Sequence, residues 1–256
     1  MSIYTDIRKD ILTISFESGH GHIPTCFSIV ELLQTVYETM KKDPSNPDWD
    51  ERDIFILSKG HAALAQYVVL AKNGYFPIDS VRGFGSCSST FGCHGDRTKT
   101  PGVEVSTGSL GHGIGVATGI ALAFKIKKQA RNVFVLVGDG EANEGSVWEA
   151  LMVAADQGLT NLTIIYDDNQ SHARGLQINN PAEKLAAFGL HVIEVDGHDP
   201  EAIRAALAIK TDKPKALLAK TVKGKGIAEM SDNHYPWHRR SPSKEELSRF
   251  LEELNA

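Results

Sequence analysis

Cysteine is scarce in this chain. The three residues, Cys26, Cys87 and Cys93, are an odd number with no disulfide framework. That excludes a disulfide-stapled secreted scaffold and fits a reducing, cytoplasmic compartment. No apolar stretch approaches the length of a membrane span. Met1 to Asp10 is polar and charged and lacks the apolar core of a signal peptide. Nor does one sign of charge dominate. With 27 Lys and Arg against 32 Asp and Glu, the net charge of −5 argues against nucleic acid or an anionic membrane as the main partner. Internal repeats, low-complexity tracts and linkers are also absent. What remains is 256 residues of ordinary hydrophobic content, which suits one large α/β domain over 1–256 with a substantial core.

Short apolar runs alternate with helix-period segments. Ile54 to Leu57, Val133 to Val137, Leu162 to Tyr166, His191 to Val195 and Ala216 to Thr221 read as strands. Ala62 to Lys72, the glycine-studded Leu110 to Lys128, Ser146 to Gln157 and Glu201 to Ile209 read as helices. This alternation predicts a parallel sheet covered by helices on both faces. Ser28 followed by Glu31 has the spacing of a capping box and predicts a helix over Ile29 to Met40. Asp199-Pro200 is a cap followed by proline at the first helical position. Ser243 and Glu246 cap a last helix, about 243–255, with Leu247, Phe250, Leu251 and Leu254 on one stripe. Asp43 to Asp50 is a loop. Gly83 to Thr107 is a longer one, rich in Gly, Ser and Thr, and loops of that length in compact domains are usually functional.

The most informative segment is Gly138-Asp139-Gly140 through Glu144-Gly145, followed some thirty residues later by Asp167-Asp168-Asn169. Each part ends an apolar strand. Two parallel strands would therefore bring a carboxylate and an amide oxygen to the same sheet edge, where open α/β sheets bind ligands. Asp and Asn oxygens suit Mg²⁺ or Ca²⁺, with a ligand's phosphates completing the shell. Other patterns are less specific. A Gly-Asp-Gly turn taken alone is mostly just a turn. Gly111-His112-Gly113-Ile114-Gly115 lacks the spacing and the preceding strand of a dinucleotide fingerprint. Cys87, Cys93 and His94 match no standard zinc spacing. His20, His61, His94, His112 and His238 sit beside glycine or in loops, a placement that favours anion binding or proton transfer.

Taken together these motifs become specific. Ser18-Gly19-His20 and Leu57-Ser58-Lys59-Gly60-His61 resemble the opening of transketolases. Pro101 to Gly111 resembles their thiazolium-contacting loop, and Gly138-Asp139-Gly140 with Asp167-Asp168-Asn169 resembles their metal motif. Thr221 to Gly226 with Trp237-His238 resembles their closing segment. The match is collinear over most of the chain, but its length corresponds only to the diphosphate-binding half. The chain therefore resembles the N-terminal subunit of a split, two-component transketolase with a thiamine diphosphate-binding fold.

That resemblance implies thiamine diphosphate as cofactor, with Mg²⁺ or Ca²⁺ held by Asp139, Asn169 and a backbone carbonyl near Ser171. It implies diphosphate contacts from His61, the Gly140 amide and His238, and a thiazolium ring lined by Gly108 and Leu110. His20, His94 and His238 would face the sugar, and Glu144 would meet the partner's catalytic glutamate. The implied reaction moves a two-carbon ketol unit from a ketose to an aldose, on sugar or sugar-phosphate substrates. The implied assembly is an α2β2 heterotetramer with a pyrimidine-binding C-terminal subunit.

Three departures from the family's pattern stand out. His112 replaces a common glutamine. Gln170 to Asn180, including Ser171-His172-Ala173-Arg174, aligns poorly. Arg239-Arg240 replaces a glycine-lysine pair and suits bidentate phosphate or sulfonate recognition, or else a solvated surface. Competing readings are the alpha subunit of a 2-oxoacid dehydrogenase, a deoxyxylulose phosphate synthase fragment, and a non-catalytic cofactor-binding regulatory subunit. The early Ser-Gly-His and Lys-Gly-His motifs favour transketolase over the first two, and the retained substrate-side residues argue against the third.

Overall fold

A computed structural model describes residues 2–173 and 175–255, so Arg174 lies outside the described residues. In chain order the helices are α1 (Ile3–Ser18), α2 (Ile23–Phe27), α3 (Val30–Thr39), α4 (Ala63–Lys72), α5 (Gly113–Ile126), α6 (Gly145–Asp156), α7 (Pro181–Ala187), α8 (Pro200–Ala208), α9 (Ala228–Asp232) and α10 (Lys244–Glu253). The strands are β1 (Ile54–Leu57), β2 (Val133–Gly138), β3 (Leu162–Asp168), β4 (His191–Asp196) and β5 (Lys215–Lys220). The sheet order is β1-β2-β3-β5-β4, and every pairing is parallel.

Strands β1, β2 and β3 are buried along nearly their whole length because both faces of the sheet are covered there, whereas the edge strand β4 is largely exposed. Phe55, Leu57, Phe134, Leu136, Ile165 and Leu217 join a core with α1 to α4, α8 and α10. Their alternates Ile54, Ile56, Val133, Val135, Val137, Ile164 and Leu218 join a second core with α5, α6 and α7. The period of two along each strand divides the side chains between these cores.

Local signals at helix ends hold in two places and fail in one. The Asp199 side chain accepts from the amides of Glu201 and Ala202, and Ser243 and Glu246 form a reciprocal capping box. Ser28 does not cap a helix. The chain already turns through α2, and Ser28 Oγ donates to Asp167 Oδ2 at 3.0 Å. Glu31 meanwhile forms a buried fork with Arg8. A capping box works at a solvated helix end, whereas both of these side chains are drawn into buried polar networks. The sequence reading also misses α1. It begins among the polar residues at the start of the chain and buries Ile7, Ile11, Leu12 and Ile14.

Gly113, the first residue of α5, lies directly over Ser58 at the end of β1. A Cβ there would come within 2.5 Å of Ser58 Oγ. Gly115 and Gly119 face open space, so close backbone approach is confined to the start of that helix.

Candidate active site

The C-terminal ends of β1, β2, β3 and β5 surround a cavity of about 350 Å³. It is lined by Lys59, His61, Leu110, Gly138 to Glu141, Asn169, Ser171, Lys223, Tyr235 and His238. Gly138 pairs with Asp167 across β2 and β3, and the Asp139 amide donates to the Asp167 carbonyl at 3.1 Å. That register places Asp139 and Asn169 side by side just beyond the sheet.

Asp139 Oδ2 and Asn169 Oδ1 converge on one donor, the Ser171 amide, at 2.8 and 3.0 Å. Both oxygens thus face one point just beyond the sheet, and a carboxylate and an amide oxygen are the ligand types a small hard cation takes. Burial, with the neighbouring Asp167 charge, holds the Asp139 carboxyl above its ordinary range. A cation would relieve both causes, so the donor set fits Mg²⁺ or Ca²⁺. The chain turns through Gln170 at φ +59°, so the Ser171 N–H meets both oxygens and its hydroxyl donates to Asn169 Oδ1. His172 Nδ1 lies 2.9 Å from Asp139 Oδ2 without the alignment of a hydrogen bond.

Behind these oxygens stands a buried ion pair. Lys59 Nζ lies 2.5 Å from Asp167 Oδ2 and also donates to Thr25 Oγ1 at 3.0 Å. Asp167 further accepts from Ser28, Asn169 and Thr221. Lys223, which follows β5, donates to Ser171 Oγ at 2.8 Å. Burial and the Lys59 charge bring its ammonium down to about 8. Two lysines reaching one cavity make its wall suited to a polyanion.

Glu141 fastens the floor. Its carboxylate accepts from Ser58 Oγ at 2.6 Å, the Gly111 amide at 2.9 Å and the Gly138 amide at 3.1 Å. Burial raises its pKa despite these donors. The Gly140 amide is engaged by Asp139 Oδ1 at 2.6 Å, so within this chain it serves the carboxylate. Gly60 and Gly108 sit back to back: a Cβ on Gly60 would lie 2.7 Å from the Gly108 nitrogen. The φ of +136° at Gly108 also favours glycine.

Three histidine rings gather at the mouth. His22 lies 5.0 Å from His238 and 5.5 Å from His61, centroid to centroid. Burial and the surrounding positive groups lower all three, His22 to about 4 and His61 to about 2. All three are thus neutral near pH 7, each offering one ring nitrogen as donor and the other as acceptor. His94 is exposed beside Gly108, near enough for its charge to bear on His22.

His20 stands apart from this group. Its ring packs edge-on to Phe84, and Nδ1 lies 3.6 Å from Cys93 Sγ. The turn through His22, at φ +67°, directs His22 into the cluster and leaves His20 outside it. The repeated Gly-His of Gly19-His20-Gly21-His22 is the signal that was available for this. Cys87, Cys93 and His94 form no metal cluster: among the described residues no group of three or more His, Cys, Asp or Glu side chains is arranged for one. His112 precedes α5 at an exposed position, where its ring contacts Ser109 rather than the helix amides. Glu144 is exposed at the start of α6, outside the cavity lining.

Arg240 forks onto Glu246 with two bonds of 2.9 Å and stacks on Trp237, so that guanidinium is already occupied. Arg239 is exposed, and its charge contributes to the lowering of both His22 and His238.

An α/β sheet that ends in a cavity of hard oxygens, lysines and neutral histidines defines a diphosphate-binding domain. Residues 7–249 match the family described as transketolase, thiamine diphosphate binding domain, and the chain belongs to that family. It is 39% identical over 231 residues to the 6-deoxy-6-sulfo-D-fructose transketolase subunit SqwG of Clostridium sp. (strain MSTE9), covering 87% of this chain and 84% of that one. It is also 39% identical over 257 residues to one of the subunits of the apulose-4-phosphate transketolase of Actinobacillus succinogenes, covering 97% and 93%. Among solved structures, transketolase from Leishmania mexicana superposes with a TM-score of 0.88 at 30% identity, covering all of this chain and 42% of that one. The chain thus spans about two fifths of that solved transketolase. No helix among the described residues is long and apolar enough to cross a membrane.

Proposed function

We propose that this chain is a single thiamine diphosphate-binding domain that acts as the N-terminal subunit of a cytoplasmic, two-component transketolase. It transfers a two-carbon ketol unit from a ketose to an aldose. The observation that carries the reading is one cavity lined by the Asp139 and Asn169 oxygens, two lysines and neutral histidines. The names of the sulfo-sugar and apulose-phosphate relatives, both of them subunits, support an anionic sugar substrate and a separate partner.

When bound, the cofactor supplies a carbanion equivalent that carries the two-carbon unit. The chain's residues bind and orient it. Asp139, Asn169 and Ser171 would hold Mg²⁺ or Ca²⁺, and Lys223, His61, His238 and the Gly140 turn would receive the diphosphate, with Lys59 behind them on Asp167. Gly108 and Leu110 flank the ring. His22, His94 and His238 face the sugar, where neutral imidazoles take up and return hydroxyl protons. Glu144, exposed at the start of α6, meets the pyrimidine-binding partner in an α2β2 assembly.

The purified chain should show no ketol transfer, and addition of the partner should restore turnover. Robust transfer by the single chain refutes the two-component reading.

A further inference from the structure

A buried relay on the far side of the β5 end bears directly on the cavity. His198 lies in the turn between β4 and α8, where its amide donates to Asp196 Oδ1 at 2.8 Å. Its side chain is 8% exposed. Nε2 accepts from the Val222 amide at 2.8 Å. A backbone N–H can only donate, so Nε2 is unprotonated and the ring proton is on Nδ1. Nδ1 lies 3.0 Å from Glu31 Oε2. Arg8 grips both oxygens of Glu31 at 2.7 and 2.8 Å and also donates to the Phe27 carbonyl. Burial, the largest influence on Glu31, would raise its pKa. The hydrogen bonds from His198 and Arg8 outweigh it and hold the carboxyl at about 2. The tautomer of His198 is therefore fixed by a carboxylate on one side and an amide on the other.

Val222 immediately precedes Lys223. Its side chain is 43% exposed. The segment is fastened through polar groups: Thr221 to Asp167 and to the Asp168 carbonyl, Val222 to His198, and the Gly224 amide to the Pro24 carbonyl at 3.0 Å. Two of these bonds flank Lys223, Val222 to His198 before it and Gly224 to Pro24 after it, and the first is the one made to a side chain. We infer that His198 is a positioning residue: held by Glu31 and Arg8, it fixes the Val222 amide and so aims the Lys223 ammonium into the cavity toward the cofactor's diphosphate. The inference rests on the functional reading above.

The test uses His198→Asn and His198→Gln. An asparagine amide can reach only the Nδ1 position, so it keeps a donor for Glu31 and loses the acceptor for Val222. Glutamine can reach the Nε2 position and restore that acceptor. Hydrogen exchange on the full chain should show faster exchange in residues 221–224 of the Asn variant. In the enzyme assembled with its partner, the Asn variant should weaken binding of thiamine diphosphate with Mg²⁺ about tenfold, as expected for one buried hydrogen bond. The sugar KM at saturating cofactor should change less than about twofold. His198→Gln should bind within about threefold of wild type. Lys223→Met should weaken binding at least as much, and adding His198→Asn to it should cost nothing more. Multiplying effects in the double variant, or wild-type cofactor affinity in His198→Asn, overturns the inference. Should the Asn variant fail to fold, a folded Gln variant that binds tenfold more weakly overturns it as well. If the wild-type assembly binds no thiamine diphosphate, the functional reading fails and this inference with it. If wild type binds and turns over sugar while His198→Asn matches it, only this inference fails.

Discussion

Replacing Lys59 with methionine isolates the cost of the buried ion pair at the base of the cavity. Methionine has nearly the length and width of the lysine stem, so the change removes charge and donors with little loss of packing. The Lys59 and Asp167 side chains are 2% and 0% exposed and meet at 2.5 Å. Breaking one side of such a pair strands the other charge, at a cost of about 3–5 kcal/mol. Asp167 keeps three neutral donors, Ser28, Asn169 and Thr221, which places the expected loss toward the lower end, about 3 kcal/mol. For a chain of this size that is a fall in Tm of roughly 6–12 °C. Asp167→Asn strands the lysine instead. The double replacement should cost less than the sum of the two single ones, because no charge is left behind. Urea unfolding of the four proteins at pH 7 measures each term. A Lys59→Met chain within about 1 kcal/mol of wild type, or strict additivity in the double variant, refutes the argument that this pair is held in a low-dielectric site.

Asp139→Ala and Asn169→Ala should each abolish metal-dependent binding of thiamine diphosphate, read by calorimetric titration of the assembled enzyme, and unchanged affinity in either removes the metal assignment. His94→Ala should raise the sugar KM or lower kcat with little change in cofactor affinity, and normal steady-state kinetics place His94 outside the site. Folded-state pKa values of about 4 for His22 and about 2 for His61 lie below the unfolded value of about 6.5. Below that value the unfolded chain binds more protons, so stability should fall as pH drops from 6.5 toward 4. His61→Gln should flatten that fall in urea titrations at pH 7 and pH 5, and an unchanged slope rejects the assignment. Arg240→Ala should cost modest stability and no selectivity, since its partners are Glu246 and Trp237. Arg239→Ala should raise KM for anionic sugars about tenfold and leave neutral ones unaffected; equal treatment of both makes Arg239 a solvated surface residue.

The sheet was legible because strands buried on both faces are nearly continuous apolar runs, as Val133 to Val137 is throughout and Leu162 to Tyr166 is except at Thr163. Asp139 and Asn169 were legible because each follows such a strand directly. Side chains whose job depends on distant partners were not. Ser28 and Glu31 have the spacing of a cap, yet their partners are Asp167, 139 residues away, and Arg8 and His198. The sequence offered two Gly-His pairs in succession, and only the backbone turn at His22 decides which imidazole enters the cluster. Arg240 looked like an anion ligand until the fold brought Glu246 to it. Lys59 and Lys223 belonged to recognisable segments, but their joint reach into one cavity is a property of the β1 and β5 ends being brought together around β2 and β3.

Glu141 ties together the loop after β1, the turn before α5 and the end of β2. Loops joined through one buried acid cannot drift independently, so the cavity floor becomes ordered when the sheet forms rather than when a ligand arrives. The entropy of arranging that floor is charged to folding, and a ligand meets a surface already in its working shape. The same knot makes the floor fail as a unit. A substitution at Ser58 or Gly111 would loosen contacts on loops it does not belong to, and so would be felt at Gly138, some thirty to eighty residues further along the chain.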